Sequence, residues 1–490
     1  MGGLNWIVVS VVVLYLLAML GISLYSRTKI SNNTDFMLAG RRLGPFLTAG
    51  ALAATEIGGG SSLGVVERAY GDWGMGASWY VMTMALAFIF LTFVGGKFRQ
   101  SMVKTVPEYF RRRYGKGSGA MAAVIMIIPL IGLTASQFIA SATITSVMLN
   151  LDYRTAVVLV AIFVTAYSVI GGMWSITLTD IMQVFFIVIG MALAIPFALS
   201  TIGGWDNVVA NVPAEKMRFF NSGIGPMTVV SLLVMYIATF TVGQENISRF
   251  YSARDDKTAR IGSLMASGVN FLFAFIPTVL GLIMIALIAK GTIPADVLMQ
   301  NGTRYALPVL AVNTMPALIV GVLFAAIISA TMSSADSDML GAGCIFSVDL
   351  YKVYMRPKAS DKEIMNVTKI TMIVTGAIAM IIALTNTRSL IQVLVISFTL
   401  RAAGTFFPYV MGHYWKKASP LGAFLSIILG SLMTLFIEIY NGYMGAGNKL
   451  ALFGFQEPII PGLIVSLVVF VGISLLFPNK KNSLELSDEA

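Results

Sequence analysis

Long apolar stretches separated by short polar connections are the main pattern of this chain. An α-helix rises about 1.5 Å per residue, so about 20 mostly apolar residues are enough to cross the hydrocarbon core of a bilayer. Thirteen stretches come close to this length: 4–25, 45–67, 74–94, 120–149, 155–170, 177–201, 228–247, 261–289, 317–346, 367–384, 390–412, 421–439 and 458–477. The pattern predicts an all-α polytopic membrane protein with about 13 transmembrane helices.

Basic residues are concentrated in alternate connections. They follow the first, third, seventh and ninth apolar stretches, and the connections between these contain few. The concentrated set comprises Arg27, Lys29, Arg41, Arg42, Lys97, Arg99, Lys104, Arg111, Arg112, Arg113, Lys116, Arg249, Arg254, Lys257, Arg260, Lys352, Arg356, Lys358 and Lys362. Because Lys and Arg accumulate in cytoplasmic loops, we expect a multi-pass protein of the plasma membrane with its N-terminus outside. The C-terminal tail, residues 479–490, is then cytoplasmic.

Two of the apolar stretches are interrupted by polar residues and glycine. The second contains Glu56 followed by three glycines at 58–60, and the seventh contains the run Gly243, Gln244, Glu245 and Asn246. Glycine is a poor helix former, and an intramembrane carboxylate is costly unless it faces a cavity. The breaks lie five stretches apart, so two sets of five helices with opposite orientation each begin with a broken helix. This is the pattern of a transporter with inverted repeats and a site near the bilayer midplane.

Composition supports a membrane protein and excludes several kinds of site. Hydrophobic residues make up 57% of the 490 residues and charged residues 11%, so most of the surface is expected to face lipid. The net charge of +10 is explained by the cytoplasmic loops, and we expect no nucleic-acid partner. With one cysteine, one histidine and no Gly-x-x-x-x-Gly-Lys-Ser/Thr phosphate loop, we expect neither an enzyme nor an organic cofactor.

Four motifs resemble those of the sodium/solute symporter family, which includes proline permeases, sodium/glucose cotransporters and the high-affinity choline transporter. Residues 38–46 are similar to the segment before its first core helix, and residues 105–110 to its cytoplasmic Pro-Glu-Tyr signature. The glycines at 171 and 172 with Thr179, Asp180 and Gln183 match a third motif. Residues 330–337 resemble its eighth core helix, in the form closest to choline transporters.

The resemblance implies a leucine-transporter-like fold of ten core helices in a 5+5 inverted repeat, with one helix added before it and two after. Residues 1–44 would form the added helix and a cytoplasmic loop, and residues 45–201 the first repeat. Residues 202–227 would form an extracytoplasmic loop, residues 228–415 the second repeat, and residues 416–490 the last two helices and the tail.

A cluster of hydroxyl groups near residue 333 is the candidate ion site. Sodium is a hard cation that prefers oxygen ligands, and Ser333, Ser334 and Ser337 lie within about one helical turn. The alternative is that these small residues only allow close helix packing. The resemblance implies a sodium site made by the carbonyls of Ala54, Ile57 and Ala330 and the hydroxyls of Ser333 and Ser334. It also implies a possible second sodium site from Asp180, Ser333, Asp336 and Ser337, although Asp180 could instead cap its helix.

Charged residues at the two breaks indicate the solute site. Glu56 and Glu245 are expected to face a central cavity, and Arg401 lies deep enough in the eleventh stretch to require a partner. Either these residues bind a charged or zwitterionic solute, or Arg401 neutralises one glutamate and leaves the other for a substrate amine. Gly59, Gln137 and Gln244 are further candidates, Glu56 could serve the ion instead, and Asp338 is expected at the cytoplasmic mouth.

Together these features predict a sodium-coupled symporter that imports a small polar organic solute by alternating access. An amino acid, a compatible solute, an amine or a small carboxylate would each fit. The alternatives are a proton-coupled symporter of the same fold and, from another class, a channel or sensor that does not concentrate its ligand.

Overall fold

The computed structural model describes residues 5–385, 390–444, 450, 452, 457–479 and 486. Leu4 and most of the predicted tail at 479–490 lie outside these residues. Within them the chain is helical, and β-type pairing is confined to isolated bridges such as those of Leu43 with Ala253 and Asn221 with Ile224. The helices are α1 (Trp6–Arg27), α2 (Asn33–Leu38), α3 (Pro45–Glu56), α4 (Val65–Arg68), α5 (Ser78–Gln100), α6 (Val106–Tyr114), α7 (Lys116–Leu149), α8 (Tyr153–Ile202), α9 (Trp205–Asn211), α10 (Pro226–Val242), α11 (Gln244–Ser252), α12 (Asp256–Phe273), α13 (Phe275–Ala289), α14 (Asp296–Asn301), α15 (Ala306–Thr314), α16 (Ala317–Ile345), α17 (Asp361–Thr385), α18 (Leu390–Gly412), α19 (Pro420–Met444) and α20 (Ile459–Leu476).

Most of the predicted spans are continuous helices. Among the described residues, 11 helices are long and apolar enough to cross a membrane, or 12 if the bent pair α10 and α11 is taken as one span. The sequence predicted thirteen. The difference arises at the second predicted stretch, 45–67. There α3 has only 12 residues, and the part after the break is counted with α5 although Gly71 and Gly74 leave the helical region between them. Neither half of that stretch is a full span on its own.

Both predicted breaks are present. Helix α3 ends at Glu56 because Ile57 leaves the helical region, with φ −82° and ψ 70°, and the chain resumes at Gly60 in a widened π-type turn. Helix α10 ends at Val242, and α11 starts at Gln244 after a bend of 53°. The two breaks leave backbone groups without regular helical partners at membrane depth. Other parts of the protein, ions or solute must satisfy those groups.

Helix α8 joins the fifth and sixth predicted spans across a kink at Gly172. This glycine has φ 54° and ψ −155°, a conformation that side chains with a Cβ strongly disfavour. A Cβ there would also lie 2.6 Å from the backbone oxygen of Phe36 in α2. The glycine pair of the third motif therefore marks the point where two spans meet.

The connections rich in basic residues meet at one end of the helix bundle. Arg41 donates to the carbonyl oxygens of Met102 and Val103 at 2.9 and 3.0 Å. Arg99 donates to the carbonyl of Ala253 at 2.5 Å, and Arg111 pairs with Asp349 at 3.5 Å. These contacts join the connections after the first, third, seventh and ninth stretches. That this end is cytoplasmic remains a prediction.

Helix α16 lies in the middle of the bundle and packs against α1, α7, α8 and α17. Its central turns carry polar residues that are at most 3% exposed: Ser333, Ser334, Asp336, Ser337 and Asp338. Polar groups at this depth need partners within the protein. The partners come from the two breaks and from α8, which places the candidate site at this helix.

Candidate functional site

The first break is held in place by side chains of α7 and α16. Gln137 accepts a hydrogen bond from the backbone N–H of Gly59 at 2.8 Å. A Cβ at position 58 would lie 2.5 Å from Ser334 Oγ and 2.9 Å from Gln137 Oε1. The break therefore contains glycine where the chain passes close to Ser334 of α16. Gln137 satisfies the backbone N–H of Gly59, which has left the helix.

The predicted sodium ligands Ser334 and Ala330 lie beside this break. The Ser334 hydroxyl donates to the carbonyl of Thr55 at 2.8 Å and, less favourably, to that of Ala330 at 3.3 Å. The hydroxyl oxygen and two carbonyl oxygens therefore come together where α3 ends, as a hard cation requires. Ser333 turns away from the break and donates to Asp180 Oδ1 at 2.5 Å. Ala54 and Ile57, whose carbonyls were predicted as ligands, are also buried close to Thr55 in the chain.

The residues predicted for a second sodium ion surround an arginine. Arg249 of α11 is fully buried, and its Nη2 lies 3.4 Å from Asp180 Oδ2 and 2.5 Å from Ser337 Oγ. Its Nη1 donates to the carbonyl oxygen of Glu245 at 2.5 Å. Asp336 accepts a hydrogen bond from Ser168 in the first half of α8. A side-chain cation thus contacts two of the four residues predicted to bind a metal cation.

A narrow cavity of about 20 Å³ lies between the two breaks. It is lined by residues of α3, the first break, α5, α7, α11, α16 and α18: Thr55, Glu56, Gly58, Gly60, Ser61, Tyr80, Met84, Leu133, Gln137, Glu245, Ser334, Asp338, Leu394 and Phe398. Thr55 and Ser334 belong both to this lining and to the candidate ion site. An ion and a solute bound here would therefore share one wall.

Arg401 forms a bidentate ion pair with Glu245. Its Nη1 and Nη2 donate to the two carboxylate oxygens at 2.7 and 2.5 Å, and its Nε donates to Thr239 Oγ1 at 2.7 Å. The guanidinium is fully buried and is not among the groups that line the cavity. Paired, charge-assisted bonds of this kind compensate the charge of a buried guanidinium and satisfy most of its hydrogen-bond donors. Of the two arrangements predicted for Arg401, the geometry is that of the self-neutralising pair.

The other two acidic groups of the cavity have no cationic partner within 4 Å among the described residues. Glu56 accepts a hydrogen bond from the Asn246 amide at 2.5 Å. Asp338 is 3% exposed and lines the cavity, which corrects the expectation that it lies at the cytoplasmic mouth. It lies one turn beyond Ser334 on the same helix face. The cavity therefore has an acidic wall after Glu245 has been neutralised.

Two residues predicted for the solute site, Gln244 and Gly59, do not line the cavity. Gln244 does not line the cavity, because its side chain accepts from the N–H of Val106 at 2.9 Å and donates to the carbonyl of Lys104 at 3.2 Å. The prediction of a solute contact for Gln244 is therefore corrected to a contact with the connection before α6. Gly59 lies behind the lining and meets Gln137 through its backbone.

Three residues were missed or misplaced by sequence reasoning. Asn246 was visible as a polar residue at the second break, but nothing in the sequence linked it to Glu56, 190 positions away. Thr239 was not considered as a partner for Arg401. Arg249 was counted among the basic loop residues, although its place five residues after the second break signals greater depth.

Comparison with known proteins agrees with the resemblance seen in the motifs. The model of the sodium:solute symporter family matches residues 36–430. The osmoregulated proline transporter OpuE of Bacillus subtilis (strain 168) is 25% identical over 477 residues, which cover 94% of this chain and 93% of the relative. A sodium/proline symporter of Staphylococcus aureus (strain bovine RF122 / ET3-1) is 26% identical over 494 residues, covering 96% and 93%.

Solved structures share the architecture. A Na⁺-coupled sialic acid symporter in a substrate-bound, outward-open state has a TM-score of 0.80 at 18% identity, covering 97% of this chain and 99% of that one. Mhp1, a nucleobase-cation-symport-1 family transporter in a closed conformation, has a TM-score of 0.58 at 11% identity, covering 91% and 96%. At these identities the likeness concerns the fold alone. The predicted leucine-transporter-like fold is confirmed.

Proposed function

The chain belongs to the sodium:solute symporter family. We propose that the small solute it carries bears an amine, with an amino acid as the lead candidate. Sodium-coupled symport of a small solute across a membrane is its activity. The solute class, the residues that bind it and the sodium ligands are our proposal.

The observation that carries the solute class is the charge of the cavity lining. Three carboxylates line it, those of Glu56, Glu245 and Asp338, and Arg401 neutralises only Glu245. An unpaired carboxylate in a buried site favours a bound cation. A substrate ammonium group would lie between Glu56 and Asp338 and supply that charge.

An amino acid also fits the remaining polar groups of the cavity. Gln137 Nε2 makes only a long contact of 3.5 Å, to Ser136 Oγ, among the described residues. It is therefore available as a donor to a substrate carboxylate. Proline, named for both relatives above, combines a ring, an ammonium and a carboxylate and is the first solute to test.

Sodium would bind where Thr55, Ser334 and the carbonyls of Ala54, Ile57 and Ala330 surround the end of α3. Because Thr55 and Ser334 also line the cavity, an ion there would hold the solute-binding wall in place. Each ligand then raises the affinity for the other, as linkage requires. One charge moving down 100 mV contributes about 2.3 kcal/mol to uptake before any concentration term.

Access from outside would run through a larger cavity of about 710 Å³ at the end opposite the basic connections. Helix α18 separates it from the solute cavity: Leu394 and Phe398 face the inner cavity, and Ile391 and Val395 the outer one. Alternating access then requires this helix and its neighbours to move relative to the two breaks.

The solute class is tested by uptake into proteoliposomes with an imposed sodium gradient at fixed pH. Glu56→Gln and Asp338→Asn should each weaken the affinity for proline, whereas Asp296→Asn, at an exposed position of α14, is the matched control. Tetrahydrofuran-2-carboxylate keeps the ring and carboxylate but lacks the amine, so it should not compete. Unchanged affinity in both variants together with full competition by this analogue would exclude an amine site.

The sodium site is tested in the same assay. Ser334→Ala should raise the sodium concentration for half-maximal uptake, because its hydroxyl adjoins the break. Ser333→Ala should raise it less, because the Ser333 hydroxyl donates to Asp180 instead. Ser200→Ala, at an exposed serine of α8, serves as the control. Equal sodium dependence in all three variants would place the ion elsewhere. Uptake driven by a proton gradient without sodium would favour the proton-coupled alternative.

A further inference from the structure

Arg249 occupies an unusual position for an arginine. It lies in α11, directly after the second break, and its side chain is fully buried among α8, α11 and α16. One nitrogen, Nη2, contacts both Asp180 Oδ2 at 3.4 Å and Ser337 Oγ at 2.5 Å. A guanidinium remains protonated at any physiological pH, so this is a permanent positive charge.

The groups around Arg249 are those that a second sodium ion would need. Asp180 accepts from Ser333 with one oxygen and pairs with Arg249 through the other. The Ser337 hydroxyl accepts from Arg249 and donates to the carbonyl of Ser333 at 2.8 Å. The Asp180 carboxylate and the Ser337 hydroxyl are thus both already in contact with the guanidinium of Arg249. A sodium ion could reach these two groups only by displacing the guanidinium.

Asp336 does not complete a cation site beside the arginine. Its carboxylate accepts from Ser168 on the first half of α8, and no ion pair joins it to Arg249 within 4 Å. The predicted four-residue set is therefore divided between two directions. Two like charges confined to one buried, water-poor site would repel each other strongly.

We infer that Arg249 is a built-in cation that takes the place of a second sodium ion, so that the transporter carries one sodium per solute. This inference rests on the proposed sodium-coupled function. The same guanidinium bonds the carbonyl of Glu245 at the start of α11. Because Arg249 itself belongs to α11, its contacts with Asp180 of α8 and Ser337 of α16 link this half-helix to both helices, a role that a mobile ion would otherwise have.

The stoichiometry of the unmodified protein is the first test. Proteoliposomes are given a tenfold sodium gradient with the membrane potential held at zero, and the limiting gradient of accumulated proline is measured. One sodium per solute supports a solute gradient of about tenfold and two support about a hundredfold, because each ion adds the same free energy. About tenfold is expected, and about a hundredfold would overturn the inference. Accumulation that does not depend on sodium would instead count against the proposed function.

Variants then test whether Arg249 is the cause. Arg249→Met leaves Asp180 without its cation, so a second sodium should enter, the sodium dependence of uptake should steepen, and the limiting gradient should rise well above tenfold. Arg249→Met with Asp180→Asn removes the acid as well and should return the gradient to about tenfold. Arg249→Lys keeps the charge and should keep the limiting gradient near tenfold, although its ammonium cannot reproduce all contacts of the guanidinium. A folded, active Arg249→Met variant with unchanged coupling would refute the role of Arg249; if that variant does not fold, the stoichiometry of the unmodified protein still decides.

Discussion

The buried ion pair between Arg401 and Glu245 offers a sharp test of the site geometry. Arg401→Met removes three hydrogen bonds, two to Glu245 and one to Thr239, and leaves the Glu245 carboxylate without its cation. Breaking a buried pair by removing one partner costs about 3–5 kcal/mol, mainly because an uncompensated charge remains. We expect this variant to be strongly destabilised and poorly expressed.

A second substitution should restore much of that loss only at the correct partner. Glu245→Gln removes the stranded charge, so the Arg401→Met/Glu245→Gln variant should recover about 2–3 kcal/mol relative to the sum of the single effects. Glu56→Gln is the matched control. Glu56 lies in the same cavity, but its carboxylate is bonded to Asn246 and not to Arg401. It should therefore give no such recovery.

The assay is thermal unfolding of the purified variants in detergent, together with expression level and proline uptake. Arg401→Lys adds a further comparison, because lysine keeps the charge but loses the bidentate geometry. If Arg401 serves Glu245 only, this variant should lose stability and keep its solute affinity. An Arg401→Met variant as stable and active as the unmodified protein would refute the reasoning, as would equal rescue by Glu56→Gln.

Two further predictions concern the first break and the orientation. Gly58→Ala should raise the sodium concentration needed for uptake, because the added Cβ would lie 2.5 Å from Ser334 Oγ. Gly472→Ala is the control, because no heavy atom lies within 4 Å of its Cβ. Equal sodium dependence of the two variants would show that the break tolerates a side chain. For the orientation, single cysteines are introduced into a Cys344→Ala background and exposed to an impermeant thiol reagent outside intact cells. Lys257→Cys should resist the reagent, whereas Ala214→Cys in the 212–225 connection should react. The reverse pattern would show that the predicted orientation is wrong.

The apolar pattern and the resemblance of the four motifs to a known family were sufficient to predict the fold, because both depend on residues close together in sequence. A span needs a run of apolar residues, and a broken span shows itself by glycine and carboxylates within such a run. Both breaks were predicted where α3 and α10 end. The kink in α8 was not predicted, although it lies at the glycine pair of the third motif. The number of spans differed because the broken stretch 45–67 contains no full-length helix.

The partners within the site were decided only by the tertiary structure. The sequence showed that Arg401 needs an acid, but Glu56 and Glu245 are equally acidic and both lie at breaks. The choice of Glu245, 156 positions away, depends on how α11 and α18 are rotated and at what depth they cross. The pattern of the chain cannot specify those two quantities, because they result from the packing of all neighbouring helices.

The same reason explains Arg249 and Asp338. By sequence alone the first belongs to a basic connection and the second to a cytoplasmic mouth, since each lies near the end of an apolar stretch. The bend of 53° at the second break turns α11 inward and carries Arg249 to Asp180 and Ser337. Asp338 faces the cavity because it lies one turn beyond Ser334 on a helix buried from all sides. The residue types at this site were therefore set by the sequence, and their pairing was set by the geometry of helices that meet only in the folded protein.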